Sequence, residues 1–352
     1  MTGPPPMCDP ATGSANPSAS LPALWGYIEP ALDHILRSPT NNLAKAPAID
    51  VSYHMGIHTA IYNYFTSSRH HPAPPPPGSA PAATTPASLM QAAPFAQPQP
   101  RGGRQPQLGA EVYERLDAYF AGAARELLFG APQDVDADTL VRYLVPTYTR
   151  YAAGAAAVHR LLNYVNRQFV KRAVDEDRGW LCLNDILDAV ARSLGESDGR
   201  EKVAAKLRER RTAELRKWGW EEGLDPEALV EAEASAEAAS AVDRVVPLVS
   251  LAHRRFRTEV LEPLLAVPKA KGKGKGKAKA KMKAAPVQNG DRPSGPKGRL
   301  ARAVKELLES TDGDPEERMQ LAREMARMLR MCGIRPDHPL RKRLDKYTGA
   351  AT

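Results

Sequence analysis

The chain has 352 residues, 42% of them hydrophobic, enough for one or two helical domains with a real core, so it is not disordered throughout. Its formal net charge of +8 is local: Lys269, Lys271, Lys273, Lys275, Lys277, Lys279, Lys281 and Lys283 carry it, and the remainder is close to neutral. Cys8, Cys182 and Cys332 lie far apart with no CxxC or Cys/His cluster, which excludes a recognisable zinc site or disulfide framework.

Residues 1–20 are rich in Pro, Ser, Ala and Thr and read as a disordered tail with no basic, apolar leader pattern. No run reaches the roughly 20 apolar residues of a membrane-spanning helix, and an intracellular, reducing compartment is expected. The first periodic segment is Leu21 to Arg37, where Leu24, Trp25, Ile28, Leu32, Ile35 and Leu36 recur at helical spacing around Pro30. A second helix is predicted from Val51 to Ser67, and it is apolar on two sides. Ile57, Ile61, Tyr64 and Phe65 form one stripe; Met55, His58, Thr59 and Tyr62 form another. One stripe suits a core, and the other needs a partner.

The Pro-rich stretch 72–106 reads as a disordered loop. Helical periodicity returns at Leu108 to Leu128 through Val112, Leu116, Tyr119, Phe120 and Leu127. Asp138 is the predicted N-cap of a helix from Thr139 to about Val174, which Pro146 and Gly154 are expected to kink or divide. A further amphipathic segment spans Leu181 to Leu194. Lys202 to Trp218 is highly charged, Glu227 to Ser240 is mostly Ala, Glu and Ser, and Val245 to Leu265 has apolar content able to pack back on the body. The Lys/Gly/Pro-rich segment 268–298 reads as a linker. Beyond it, Arg299 to Glu309 and Pro315 to Met331 predict a helical pair with Met319, Met325, Met328, Leu329 and Met331 on its apolar sides. No strand-period pattern is evident, so the expected fold class is all-α.

Several blocks resemble, in order, the N-terminal part of a cullin. Met55-Gly-Ile-His-Thr-Ala-Ile-Tyr-Asn-Tyr-Phe-Thr-Ser67 is similar to the second helix of the first cullin repeat, and Gly109 to Phe120 to the start of the third. Leu162-Asn-Tyr-Val-Asn-Arg-Gln-Phe-Val-Lys-Arg172, followed by Asp175-Glu-Asp-Arg178, is the strongest block. The resemblance covers roughly residues 20 to 195. It implies a cullin-repeat-like helical bundle over 21–195; the residue patterns beyond it give a charged helical extension over 196–267 and a small C-terminal helical segment over 299–352.

In that family the first repeat binds a POZ-fold adaptor, the S-phase kinase-associated protein, which carries substrate receptors in SCF-type ubiquitin ligases. The resemblance therefore implies a non-catalytic scaffold in ubiquitin-dependent protein catabolism, working in cytoplasm or nucleus. It maps adaptor binding onto His54, Met55, His58 and Tyr62 of the second helix and onto Asn163, Asn166, Arg167 and Val170 of the fifth. His58 stands where the family commonly has a larger aromatic. Residues after about 200 do not follow the next repeat and no counterpart of the RING-recruiting region is found, so no RING subunit is expected.

An enzyme needs convergent groups, and the candidates lack them. His70 and His71 sit in the Pro-rich stretch, His253 stands beside Arg254 and Arg255, and Glu176 with Asp177 reads as a helix-end charge cluster. No cofactor motif, catalytic residue or metal ligand set is identified. Two alternatives remain: a truncated relative that sequesters the adaptor, and a nucleic-acid-associated protein in which Lys269 to Lys283 make nonspecific polyanion contacts.

Overall fold

In the computed structural model, the described residues are 7, 9, 16–67, 109–133, 137–192, 199–266, 298–311 and 314–349. The Pro-rich stretch 72–106, most of the 1–20 tail and the Lys/Gly/Pro-rich segment up to residue 297 lie outside them. The described residues are α-helical and contain no strand; Met7 and Ile49 make one isolated parallel bridge.

Helix α1 (Leu21–Arg37) starts where the Ser20 hydroxyl accepts the Ala23 amide at 3.3 Å, with Pro22 in the first turn, where a missing N–H costs nothing. Leu24, Trp25, Ile28, Ala31, Leu32 and Ile35 are buried along one face, and the helix continues through Pro30. Helix α2 (Val51–Ser67) buries Tyr53, Ile57, Ala60, Ile61 and Phe65. Helix α3 (Ala110–Phe129) buries Val112, Leu116, Tyr119 and Phe120, with Leu127 half-buried.

Helix α4 (Ala137–Leu161) is the longest and runs through the middle of the molecule, packing on α1 and on elements from the C-terminal half. It differs from expectation in three ways. It begins at Ala137, so Asp138 lies in its first turn and not at the N-cap. It passes unbroken through Pro146 and Gly154. Gly154 is a packing notch: a Cβ there would come within 2.6 Å of Leu36 Cδ2 on α1. The break falls instead at Leu162, which leaves the helical region (φ −102°, ψ 27°) before α5 (Asn163–Val165), a π-helical turn (Asn166–Val170) and α6 (Lys171–Asp175). One extra residue per turn in that π segment has no signature in hydrophobic spacing.

Helix α7 (Leu183–Ala191) is followed by α8 (Arg200–Arg216) and α9 (Pro226–Ala239). The low-complexity α9 is an ordered helix whose small side chains admit close neighbours: Ala232, Ser235, Ala236 and Ala238 are buried. Gly333, at φ +73°, lies so near its end that a Cβ would overlap the Ala239 backbone. Next come α10 (Leu248–Phe256), a second π turn (Arg257–Leu261) and α11 (Glu262–Leu265). After residue 297 follow α12 (Arg299–Glu309), α13 (Pro315–Met331) and α14 (Pro339–Thr348).

The apolar residues of α10–α14 belong to the same buried cluster as those of α1–α4. Polar ties reinforce the joint. The Tyr113 hydroxyl donates to the Val246 carbonyl and accepts from the Val246 amide, each at 3.0 Å. Tyr151 donates to the Ala252 carbonyl at 3.2 Å, and Arg255 Nε to Asp117 at 2.6 Å. Residues 245–265 and 299–344 thus complete the core that α1–α4 begin.

Candidate protein-docking surface

The two stripes of α2 separate as their chemistry requires. The inner one anchors the helix: Tyr53 is fully buried and donates to the Tyr27 carbonyl at 2.6 Å, and burial pushes its hydroxyl up to about 12. Ile57, Ile61 and Phe65 are buried beside it. On the outer side Met55 is 56% exposed and Tyr62 47%, with His58 and Thr59 also exposed and His54 half-buried. Thr59 spends its hydroxyl on the Met55 carbonyl at 2.9 Å. The methionine and the tyrosine lie two turns apart on one side of the helix and form an open apolar pair beside the aromatic wall.

The neighbouring wall comes from the segment after the α4 break. Tyr164 on α5 is half-buried, and its ring meets His58 at 6.0 Å, Tyr62 at 5.5 Å and Phe65 at 5.6 Å, each edge-to-face. Such pairs are worth about 0.5–1.5 kcal/mol each beyond their burial, so Tyr164 fixes the positions of the outer-stripe rings. The sequence reading assigned Tyr164 no role, although it lies inside the strongest resembling block. Its alternation with Asn163 and Asn166 hid it, because only the Leu162 break and the π turn settle which side faces α2.

Of the four fifth-helix candidates, Asn163 and Arg167 are exposed beside Tyr164. The other two sit deeper. Val170 is 4% exposed and belongs to the core, because the π turn rotates it inward. Asn166 is turned to internal work: its amide nitrogen lies 3.2 Å from His159 Nδ1 and its oxygen accepts the Leu248 amide at 3.1 Å, capping the start of α10. Burial, then the nearby Arg160 charge, lowers the His159 pKa.

Asp177 and Glu176 serve the fold. Asp177, at φ +61°, accepts the Leu183 amide at 2.6 Å and so starts α7, and Glu176 pairs with Arg178 at 3.7 Å. His253 is 3% exposed in the core. His70 and His71 lie outside the described residues. Among the described residues no group of His, Cys, Asp and Glu could hold a metal ion, and no helix is long and apolar enough to cross a membrane.

The chain is 22% identical over 159 residues to Cell division control protein 53 of Saccharomyces cerevisiae (strain ATCC 204508 / S288c), which is 44% of this chain. The similarity supports a distant, cullin-related relationship. The matched stretch spans 16% of the yeast protein's length. No family model and no solved structure matches.

Proposed function

We propose that this chain is a non-catalytic, cullin-like scaffold whose α2–α5 face binds a POZ-fold adaptor, the S-phase kinase-associated protein, within ubiquitin-ligase assembly. The observation that carries the reading is the open pair Met55 and Tyr62 on one side of α2, with the Tyr62, His58 and Phe65 rings gathered around Tyr164. An exposed apolar centre held rigid from beneath, with Asn163 and Arg167 at its edge, has the layout of an interface hot spot and its polar rim. The distant similarity to the yeast protein and the ordered blocks around these residues support the same reading.

The experiment is direct binding of the purified full-length chain to the adaptor, beside the double variant Met55→Ala, Tyr62→Ala. Loss of a central hot spot costs about 2 kcal/mol or more, so affinity is expected to fall roughly 30-fold or further. Absence of binding by the unmodified chain, or undiminished binding by a folded double variant, would sink the proposal.

A further inference from the structure

The two stretches that form the docking face contain no carboxylate. Helix α2, from Val51 to Ser67, has no Asp, Glu, Lys or Arg. The stretch from Arg160 to Val174 has Arg160, Arg167, Lys171 and Arg172, and again no Asp or Glu. All four cations are exposed. Asn163, Arg167 and Lys171 recur every four residues along one side of the α5, π-turn and α6 run, next to Tyr164. None of the four cations makes an ion pair among the described residues, whereas arginines elsewhere do, as Arg37 does with Glu126 at 2.8 Å and Arg244 with Asp185 at 2.8 Å. The nearest acids in sequence, Asp175 and Glu176, lie at and just past the end of α6, beyond Lys171.

Resting on the adaptor-binding reading, we infer that this face is built for a partner that lays an acidic strip along Arg167, Lys171 and Arg172 while its apolar residues cover Met55 and Tyr62. Unpaired cations at an interface rim attract an acidic surface over a Debye length and set the association rate; the apolar centre sets how long the complex lasts. A nucleic acid fits less well. Single strands are held in a positively charged groove beside stacking rings, and α2 supplies no lysine or arginine to such a groove.

The test separates the two contributions. Association and dissociation rates of the adaptor with the full chain are measured from 50 to 300 mM salt, for the unmodified chain and for the triple variant Arg167→Glu, Lys171→Glu, Arg172→Glu. Thermal unfolding establishes that the variant is folded. The association rate of the unmodified chain is expected to fall at least tenfold across the salt range. In the triple variant it should be at least tenfold lower at low salt and nearly insensitive to salt, with dissociation little changed. Adaptor binding that ignores both salt and the charge reversal overturns the inference and leaves the adaptor reading standing.

If the adaptor does not bind at all, the adaptor reading falls. The face is then probed with a labelled polyglutamate peptide and with polyuridylate, in a chain whose lysines from Lys269 to Lys283 are glutamine. Salt-sensitive polyglutamate binding lost in the triple variant supports the acidic-partner inference. Binding of polyuridylate in preference, or of neither probe, overturns it.

Discussion

Gly298 is pressed against Leu265, so closely that a Cβ on Gly298 would overlap the Leu265 carbonyl. The last turn of α11 and the first residue before α12 therefore touch, and the Lys/Gly/Pro-rich segment leaves and re-enters the fold at one point. It is an insertion and not a connection between separate bodies, in keeping with the shared core of α4, α11 and α12. Replacing residues 267–297 by a four-residue Gly/Ser link should leave the fold intact. Shortening the closed loop about eightfold should add roughly 1–2 kcal/mol of stability. Thermal unfolding reads this: a melting temperature unchanged or raised by a few degrees is expected, and a collapse would mean that the segment is part of the folded core.

The Pro-rich stretch is closed in the same manner. Gly109, at φ +90°, faces Phe65, and a Cβ there would come within 2.5 Å of the Phe65 ring and 3.2 Å of Phe169 Cβ. Gly109→Ala is penalised twice, by about 1–2 kcal/mol for the left-handed backbone and by displacement of a ring that holds Tyr164. Stability should fall by about 2–4 kcal/mol in urea unfolding. Because Phe65 moves the aromatic cluster, adaptor affinity should fall as well, even where the chain remains folded. Gly298→Ala, remote from that face, should cost stability alone.

The legibility of this fold in the sequence follows the physics of each element. Leu21–Arg37, Val51–Ser67, Arg299–Glu309 and Pro315–Met331 were predicted with the ends observed, because amphipathic periods meet clear stop signals there. The α2 outer stripe was legible for the same reason. The burial of Val170 and the internal bonds of Asn166 were not legible, because a broken residue at Leu162 and a π turn shift the face by a backbone detail that side-chain type does not encode. The α14 helix was not separable within the expected C-terminal helical segment, since half of its ten residues are charged and only Leu340, Arg341 and Leu344 are buried. The shared core of 21–161 and 245–344 was hidden because the Lys-rich segment resembles a domain linker until its two ends are located.

Two ion pairs of similar geometry should differ sharply in worth. Arg255 holds Asp117 with both donors, joining α10 to α3, and the side chains are only 19% and 20% exposed. Arg37 holds Glu126 in the same two-pronged way, but at 35% and 57% exposure. Asp117→Ala leaves a guanidinium only 19% exposed with Glu259 at 3.6 Å as its remaining carboxylate, and should cost about 1–3 kcal/mol, below the range for breaking fully buried pairs. Glu126→Ala leaves Arg37 in water and beside Asp33, and should cost about 0–1 kcal/mol. Urea denaturation of both variants distinguishes them; equal losses would mean that α10 is not anchored through Asp117.

Two buried groups of opposite sense titrate on α9 and α10, Glu237 against Ser250 and His253 against Tyr148 of α4. Glu237 on α9 is held up to about 7 by burial, although the Ser250 hydroxyl donates to it at 2.6 Å. His253 on α10 is fully enclosed with neither ring nitrogen bonded, and burial pushes it down to about 4. A histidine whose folded pKa lies below its unfolded value makes the fold lose stability as pH drops from 6.5 to about 4. A carboxyl whose folded pKa is raised makes it lose stability as pH climbs from 4.5 to about 7. In the unmodified chain the two slopes oppose one another between about pH 4.5 and 6.5, so these groups leave stability nearly flat there. Substitution exposes each slope. Relative to the unmodified chain, His253→Phe should gain about 3 kcal/mol on acidification from pH 6.5 to 4, and Glu237→Gln should lose about 3 kcal/mol on acidification from pH 7 to 4.5. Any packing cost of the substitutions is independent of pH, so the slope of urea-unfolding free energy against pH is the readout. Parallel curves for both variants and the unmodified chain would show that neither group titrates within the fold.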